Sequence, residues 1–300
     1  MKRIAAVVVT YNRIKLLQRT INALRSQTRK LDNIIVINNN STDGTGKWLE
    51  TQNDLIVIHQ ENVGGAGGFY RGINEAYNLG FDWMWCMDDD VYPRTDCLER
   101  LLVADGEKVG ILCPRRVIDN FAFAGEYTKL NLTSWIIPFH EEITPLYLYE
   151  QPNPFRIMGM SFEGPLIRRE VVDKIGFPNK DLFILFDDTE YSYRTIVNGF
   201  DVLLVPLAIL DKENFSRSKS VNEVVKHSAW KLFYEIRNNS FIHKVYGKNW
   251  FVRTIKPLLL LFQYDLAFLK NMFNDKYKYL DFVSWHRAYF DGQRKRLGKR

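Results

Sequence analysis

The sequence predicts an α/β fold with a mostly parallel sheet, because strand and helix patterns alternate through its first hundred residues. Short β-branched runs such as IAAVVVTY precede stretches with apolar residues at helical spacing, such as RIKLLQRTINALRSQ. Polar clusters lie at the ends of the predicted strands: TYN, INNN, ENVGG and MDDD. Ligands bind at the carboxyl ends of strands in such sheets, so these clusters predict one site at a sheet edge.

The remaining elements follow in chain order. NIIVINNN, LIVIHQ and FDWMWCMDDD are further strands, separated by the helices STDGTGKWLETQ, with Ser41 and Thr42 as candidate N-caps, and GFYRGINEAYNLG. Residues 114–157 are less regular and rich in aromatic residues and proline. FEGPLIRREVVDKIGFP predicts a strand and a helix, KDLFILFDDTEYSYRTIVNGF an acidic helix start, and VLLVP another strand. From about residue 222 the pattern is helical.

Composition places the chain in the globular class and divides it in two. The 300 residues are 46% hydrophobic, enough for a sizeable core. We predict an α/β catalytic domain over residues 1–221 and a helical region over residues 222–300. Three cysteines without a CxxC pair disfavour a disulfide framework or a zinc site and fit a reducing cytoplasm. The first apolar run has no signal-peptide pattern, so we expect a buried strand there.

The last third of the chain is basic and aromatic. The net charge is +6, the pI is about 9.0, and the sequence closes on QRKRLGKR. Lys256, Pro257 and Asp265 interrupt the most apolar stretch, residues 250–273, which argues against a bilayer-spanning helix. We expect a cytoplasmic protein that lies peripherally on the inner face of the cell membrane. A helix packed on the protein's own core, or a homo-oligomer interface, is the alternative.

Three consecutive carboxylates, Asp88–Asp90, end the fourth predicted strand. Side chains alternate along a strand, so Asp88 and Asp90 can converge while Asp89 points elsewhere. Paired carboxylates bind Mg²⁺ or Mn²⁺ through oxygen. A solvated turn is the alternative, but the apolar approach MWCM favours a buried site.

The glycine-rich stretch ENVGGAGGFYRG, residues 61–72, would let the backbone approach a ligand closely. It is neither a dinucleotide fingerprint, which would follow the first strand, nor a P-loop, because no GK[ST] follows. A plain tight loop is the alternative interpretation.

A second acidic cluster, FDDTEYSYR, spans residues 186–194. Its three neighbouring acids repel one another, which tends to raise one pKa and allows a carboxylate to take a proton from an acceptor hydroxyl. Helix capping by Asp187 or Asp188, with Glu190 in the first turn, explains the same residues and is compatible with catalysis.

VVVTYNR, NNNSTDGT, MDDDV and FDDTEYSYR, in this order and spacing, resemble the inverting GT-A glycosyltransferases of family 2. ENVGGAGGFYRG before the triple aspartate is similar to the galactofuranosyltransferase branch, with bacterial rhamnosyltransferases as close relatives. The resemblance covers about residues 3–245. It implies the GT-A fold, a Rossmann-like, mostly parallel sheet flanked by helices, with a helical C-terminal appendage.

The resemblance also implies roles on the donor side. Asn38 stands where the family usually has an acid that holds uracil, a departure that leaves the choice of base open. Asp89 would approach the ribose or the sugar. The other residues implied to line the nucleotide or the donor sugar are Thr10, Tyr11, Arg13, Asn62, Gly65, Gly67 and Gly68.

On the catalytic side, the resemblance makes Asp188 the base, with Asp187 and Glu190 beside it. Asp88 and Asp90 would bind the metal. Relatives often carry a metal-binding His further along the chain, where this sequence reads LAILDKENF. Asp211 would take its place, or that ligand is missing.

These implications describe a metal-dependent inverting glycosyltransferase that uses Mn²⁺ or Mg²⁺ and a nucleotide-sugar donor. We expect UDP-galactofuranose as the donor and a cell-surface glycan or lipid-linked oligosaccharide as the acceptor, and no nucleic acid partner. A dTDP-rhamnose-dependent rhamnosyltransferase is the alternative. Two more remote alternatives are a sugar nucleotidyltransferase and a non-catalytic, membrane-tethered glycan-binding scaffold.

Overall fold

A computed structural model describes residues 2–215, 230–271 and 279–300. The chain divides into two compact units. The first comprises Met1–Lys129, Glu142–Lys180 and Asp187–Phe215, and the second Leu130–Glu141, Asp181–Phe186 and Ser216–Arg300. The domain boundary predicted at residues 221 and 222 lies outside the described residues.

The first unit contains a large mixed sheet, in the order β10-β12-β6-β11-β4-β1-β2-β3. Its parallel half is β1 (Ile4–Thr10), β2 (Asn33–Asn38), β3 (Leu55–His59) and β4 (Trp83–Asp88). The other half joins β6 (Val109–Ile118), β10 (Phe155–Arg156), β11 (Leu166–Arg168) and β12 (Asp201–Lys212). β5 (Val91–Pro93) pairs with β12 and β7 (Phe121–Ala122) with β6. β8 (Tyr127–Leu130) and β9 (His140–Ile143) form a separate pair. The predicted α/β class is confirmed.

Helices cover both faces of the sheet. They are α1 (Ile14–Arg25), α2 (Thr45–Leu49), α3 (Gly64–Asn78), α4 (Cys97–Val103), α5 (Leu146–Glu150), α6 (Arg169–Ile175) and α7 (Asp187–Val197). β1 is buried along its length because its side chains alternate between two core clusters. Val7 and Val9 pack in one cluster with residues of α3, and Ala6 and Val8 in the other with residues of α1.

Two local predictions are corrected. The predicted helix GFYRGINEAYNLG begins at Gly68, but α3 begins at Gly64, so the glycines before Gly68 are helical rather than part of a loop. Close packing explains two of the glycines, because a Cβ would come within 2.5 Å of Val63 Cγ2 at Gly67 and of Val9 Cγ1 at Gly68. In α2 the N-cap residue is Gly44, not Ser41 or Thr42, and the carboxylate of Asp43 accepts hydrogen bonds from the backbone and hydroxyl of Thr45.

All three cysteines, each of them a described residue, are buried free thiols in the first unit. Burial raises the pKa of the Cys86, Cys97 and Cys113 thiols above the usual range.

The second unit is helical. Within the described residues, its long helices are Lys231–Tyr246, Lys256–Asn271 and Tyr279–Gln293, with a π-helical turn at Phe251–Ile255. Its core consists of Phe183, Phe233, Tyr234, Ile236, Leu261, Phe268, Trp285, Ala288 and Tyr289. None of the helices within the described residues has the length and apolar character needed to cross a bilayer.

The segment Asp181–Phe186 belongs to this unit and has an unusual backbone. Phe183, Leu185 and Phe186 all have φ near +66°, a left-handed conformation that is rare for bulky residues. Asn238 Nδ2 lies 2.8–3.0 Å from the carbonyl oxygens of Leu182, Ile184 and Leu185. These contacts hold the strained segment that leads into α7.

Candidate functional site

The strand ends that the sequence singled out lie side by side in the first unit. In the β1–β2 pair Thr10 is opposite Asn38, and in the β1–β4 pair Val9 is opposite Asp88. The carboxyl ends of β1, β2 and β4 therefore share one edge of the sheet, as predicted from the polar clusters.

A carboxylate cluster forms at the end of β4. One oxygen from each of Asp88, Asp90 and Glu163 lies within 4.8 Å of the others. β4 ends at Asp88, and Asp89 and Asp90 form a turn before β5. This turn brings Asp88 and Asp90 together while Asp89 points away from them, although the strand alternation used to predict this does not extend past Asp88.

Glu163 is a residue of this site that sequence reasoning missed. Gly164 N donates to Cys86 O at 2.8 Å, and Cys86 N donates to Pro165 O at 2.9 Å. This antiparallel contact sets Glu163 beside the end of β4, and Gly164 makes the turn with φ +98°. The signal in the sequence is a lone acid followed by Gly and Pro at the start of a predicted strand, in FEGPLIRR.

Two cations lie against Glu163. Lys212 Nζ is 2.5 Å from Glu163 Oε1 and 3.9 Å from Asp90 Oδ1. The buried Arg116 guanidinium pairs with both Glu163 and Glu126. Burial raises the pKa of Glu163, but the charges of Arg116 and Lys212 outweigh it and leave that pKa below its usual range. At Asp88, burial and the charges of Asp90 and Glu163 raise the pKa well above the ordinary value.

Asp89 faces β1 instead. Its carboxylate accepts hydrogen bonds from Thr10 Oγ1 at 2.7 Å and Arg13 Nη1 at 3.1 Å. Burial raises the pKa of Asp89 to about 6. Arg13 also reaches Asp90 Oδ2 at 2.9 Å, so its guanidinium is engaged with the acids, whereas Tyr11 is exposed.

Asp211, expected as a metal ligand from the resemblance, is not part of the carboxylate cluster. Its carboxylate pairs with Arg94 through bonds of 3.0 and 3.1 Å. Side chains alternate along β12, so its neighbour Lys212 faces the acids instead. The structure thus brings Glu163, rather than Asp211, to Asp88 and Asp90.

Asn38 lines an open cleft of about 600 Å³ at the ends of β2 and β3. Its amide Nδ2 lies 3.0 Å from His59 Nδ1, and both side chains line the cleft. Asn40, Ser41, Thr42, Gly44, Gly46, Lys47, Glu50 and Gln60 complete the lining. The cleft offers hydrogen-bonding groups suited to a planar polar ligand such as a nucleobase.

The expected donor residues of α3 lie at its start. Asn62 Oδ1 accepts a hydrogen bond from Gly64 N at 3.0 Å. A Cβ on Gly65 would meet nothing within 4 Å, whereas one on Gly67 would come within 2.5 Å of Val63 Cγ2. Gly65 therefore faces open space, while Gly67 and Gly68 are required by packing.

The second acidic cluster opens α7. Asp188 Oδ1 accepts hydrogen bonds from Thr189 N at 2.6 Å and Thr189 Oγ1 at 3.2 Å. Burial raises the pKa of Asp188 to about 6, and the charge of Glu163 contributes to the rise while Arg116 opposes it. Burial and Asp188 raise the pKa of Asp187 to about 8. Glu190 pairs with Arg194 within the helix at 2.9 Å.

The carboxylate cluster fits a divalent cation. It offers hard oxygen ligands, which Mg²⁺ and Mn²⁺ prefer. Asp90 Oδ1 is buried and has no hydrogen-bond partner among the described residues. Burial and the charges of the neighbouring acids raise the pKa of Asp88, and a bound cation would relieve the repulsion among the three carboxylates.

This chain is similar to several known proteins. The family model described as Glycosyl transferase family 2 matches residues 5–176. Galactofuranosyltransferase GlfT1 of Mycolicibacterium smegmatis is 30% identical over 208 residues, which span 65% of this chain and 66% of that protein. The dTDP-rhamnosyl transferase RfbF of Shigella flexneri is 24% identical over 252 residues, 78% of both chains.

Among solved structures, the crystal structure of GalNAc-T7 with UDP, GalNAc and Mn²⁺ has a similar fold. Its TM-score is 0.57 at 16% sequence identity, and the match covers 80% of this chain and 51% of that one. At this identity the likeness shows the fold alone.

Proposed function

The chain belongs to glycosyl transferase family 2, and on that premise we propose that it moves galactofuranose from UDP-galactofuranose to a cell-surface glycan or lipid-linked acceptor, with inversion and with a bound metal ion. It is a glycosyltransferase by its family and its relatives. The alignment with GlfT1 spans 66% of that relative, so the donor, the acceptor and the activity of the whole protein are parts of the proposal.

The observation that carries the proposal is the cluster of Asp88, Asp90 and Glu163 at the sheet edge, beside a second acidic group. The charge of Glu163 contributes to the raised pKa of Asp188, which supports the proposal that the two acidic groups act on one substrate. We propose that the α/β unit carries the catalytic residues.

The metal site would be formed by Asp88, Asp90 and Glu163, without Asp211. Mn²⁺ or Mg²⁺ held there would neutralise negative charge on the leaving diphosphate. Lys212 and Arg13 bring fixed positive charges to the same acids. Asp89, held by Thr10, would orient Arg13 and approach the ribose or the sugar.

Asp188 would be the base. A carboxylate with a pKa near 6 is mostly ionised at neutral pH and still accepts a proton readily. The two hydrogen bonds from Thr189 orient its Oδ1, which leaves Oδ2 for the acceptor hydroxyl. The acceptor oxygen then attacks the anomeric carbon opposite the leaving diphosphate, which inverts its configuration. Asp187, with a pKa near 8, would remain largely protonated and add little repulsion.

The cleft at Asn38 would hold the base of the nucleotide. An amide side chain can hydrogen-bond the edge of uracil or of thymine, so it does not select between them. The similarity to RfbF favours dTDP-rhamnose as the second candidate donor.

We further propose that the helix Lys256–Asn271 attaches the protein to a membrane surface. Leu258, Leu259, Phe262, Leu266 and Leu269 are exposed along it. Exposed apolar residues next to basic sequence favour an anionic lipid surface. Sedimentation with anionic vesicles at low salt tests this, and a full-length protein that stays in the supernatant would contradict it.

Calorimetry with UDP and with dTDP, each with and without Mn²⁺, tests the donor site. We expect Mn²⁺-dependent binding of UDP by the wild type, a large loss in Glu163→Gln, and no change in the matched control Glu170→Gln on the exposed surface of α6. A preference for dTDP would move the assignment to rhamnose. Binding of neither nucleotide would overturn the proposal.

A further inference from the structure

A second pocket, of about 360 Å³, lies entirely within the helical unit. Its polar groups include His243 and Gln263. Its apolar lining is both aromatic and aliphatic: Trp135, Phe139, His140, Phe186, Ile136, Ile137, Pro138, Leu259 and Leu260. We refer to it as the His243 pocket. None of the residues implied for the donor or for the metal lines it, so the donor chemistry leaves it without a role.

His243 lines this pocket and carries an unpaired acceptor. The residue is 1% exposed, and its Nδ1 lies 2.8 Å from Asn239 O. A carbonyl can only accept, so Nδ1 carries the hydrogen and Nε2 has a free lone pair. Nε2 is buried and has no hydrogen-bond partner in the described part of the chain. Burial lowers the pKa of His243 to about 4, so the ring is neutral at physiological pH. A buried acceptor of this kind is costly unless a ligand donates to it.

Aromatic faces form part of the pocket wall, and aliphatic side chains and a proline form the rest. His140 and Phe186 stack with centroids 5.9 Å apart and planes at 14°, and Phe139 packs edge-on against His243. Lys256 Nζ donates to the carbonyls of Asn131 and Ser134 at 2.8 and 3.0 Å, which ties down the segment that carries Trp135. The aromatic surface is therefore preformed and suits the apolar face of a ring.

The charged and polar groups of the pocket disfavour other ligand classes. Among its described lining residues, Lys256 and Glu235 carry the formal charges, and they cancel. A phosphate or carboxylate could only accept hydrogen bonds, so it would be repelled by the lone pair of His243 Nε2. A lipid tail would leave that atom and the amides of Asn239 and Gln263 without partners. A neutral ring with hydroxyl groups on its edge and CH groups on its face can pack against the aromatic side chains and donate a hydrogen bond to His243 Nε2.

We propose that the His243 pocket binds a sugar ring of the acceptor glycan, with the ring against the aromatic wall and one hydroxyl donating to His243 Nε2. The inference rests on the proposed function, because the bound sugar is taken to be part of the acceptor glycan of that reaction. Phe186 directly precedes Asp187 and Asp188 in the sequence, so the wall belongs to the chain segment that leads into the proposed base.

Saturation-transfer NMR on the full chain tests the pocket, with methyl β-D-galactofuranoside, methyl α-L-rhamnopyranoside and methyl α-D-mannopyranoside as probes. We expect at least one glycoside to bind the wild type. Its dissociation constant should rise about tenfold in His243→Phe, which removes one hydrogen bond, and in Phe186→Leu, which removes an aromatic face. His243→Gln, which can still present an oxygen acceptor, should retain part of the affinity.

His286→Phe is the matched control, because His286 makes the same bond from Nδ1 to a carbonyl one turn earlier, at 3.0 Å, and does not line the pocket. It should bind the glycoside like the wild type. Thermal melting of each variant checks that it is folded, and His243→Gln and Phe186→Leu keep the test decisive if His243→Phe does not fold.

UDP calorimetry on the same variants separates the two proposals. Unchanged UDP binding with weakened glycoside binding supports the pocket. A wild type that binds UDP but no glycoside, or a His243→Phe variant that is folded and binds the glycoside normally, would overturn the pocket alone. Displacement of the bound glycoside by farnesyl phosphate, with equal affinity in the wild type and His243→Phe, would assign the pocket to a lipid. Loss of UDP binding by the wild type would count against the donor proposal instead.

Discussion

Asn238 Nδ2 lies 2.8 Å from the carbonyl oxygen of Leu185, two residues before Asp187 in the sequence. The same amide nitrogen lies within 3.0 Å of the carbonyls of Leu182 and Ile184. One side chain thus provides hydrogen bonds to three carbonyl oxygens of a segment whose backbone conformation, with positive φ angles, is unfavourable by itself.

Asn238→Ala should therefore lower the free energy of unfolding by about 1–3 kcal/mol, because buried carbonyls lose their donor. It should also lower kcat more than it changes UDP affinity, since the segment leads into the proposed base. Urea unfolding and UDP calorimetry measure the two effects. Asn198→Ala is the control, because Asn198 Nδ2 donates to one exposed carbonyl, that of Arg194. Equal destabilisation by both variants would contradict the assigned role.

Asp188→Asn should abolish sugar transfer while it spares UDP binding, because the amide cannot accept the proton. In the wild type, the pKa near 6 makes the base ionised above that pH, so kcat should rise from pH 5 to pH 7 and then level off. UDP release from UDP-galactofuranose, with a cell-envelope fraction as acceptor, measures both. Near-normal turnover by the variant would remove Asp188 from the mechanism, and Asp173→Asn on α6 is the control.

Asp187→Asn should stabilise the protein at alkaline pH. In the unfolded chain the carboxyl has its ordinary pKa of 3.8, whereas burial and Asp188 raise the pKa to about 8 in the folded state. Between these values the folded state holds more protons, so the free energy of unfolding falls as pH rises. The variant should melt at least about 4 °C above the wild type at pH 8 and close to it at pH 4. A gain of the same size at both pH values would refute the ionisation argument.

Lys212→Met should bind Mn²⁺ about tenfold more tightly than the wild type, because the ammonium competes with a cation for Asp90 and Glu163. Without metal, the variant should melt at a lower temperature, since three crowded carboxylates lose a counter-charge. Calorimetry with Mn²⁺ and thermal melting in chelator test the two directions. Lys129→Met, which breaks an exposed pair with Glu142, should change neither. Weaker Mn²⁺ binding by Lys212→Met would contradict this competition and would indicate that Lys212 helps to form the metal site.

Gly68→Ala should destabilise the protein by about 1–3 kcal/mol, because the added Cβ would lie 2.5 Å from Val9 Cγ1 and force α3 away from β1. Gly65→Ala is a control in the same helix, where the Cβ meets open space. That change should be neutral or stabilising by up to about 1 kcal/mol. Urea unfolding compares them, and similar effects at both positions would contradict the packing explanation.

The sequence was sufficient to predict the sheet edge at which the candidate residues lie, because local pattern determines the strands. Thr10, Asn38 and Asp88 each follow a short apolar run, and parallel pairing brings the ends of such runs to one edge. The acidic residues in the first turn of α7 are likewise predicted from a local sequence pattern.

Glu163 could not be found in this way. It reaches Asp88 through pairing between β11 and β4, which are far apart in the sequence, and that pairing leaves no periodic signal. The start of α3 is missed for a similar reason, because the pattern predicts a helix from Gly68 whereas α3 begins at Gly64. Glycine has a low helix propensity, and the requirement for glycine at Gly68 comes from contact with Val9 on a distant strand.

Because Cys86, Cys97 and Cys113 are buried, the rate at which a thiol reagent labels them reports unfolding of the protein. A thiol reagent reacts with the thiolate, which burial suppresses, so labelling has to wait for a local or global unfolding event. All three sulfurs belong to the α/β unit, so the labelling rate measures how often that unit opens and is blind to openings of the helical unit alone. Slower labelling in the presence of UDP and Mn²⁺ would then give the stabilisation by the donor complex without any engineered probe.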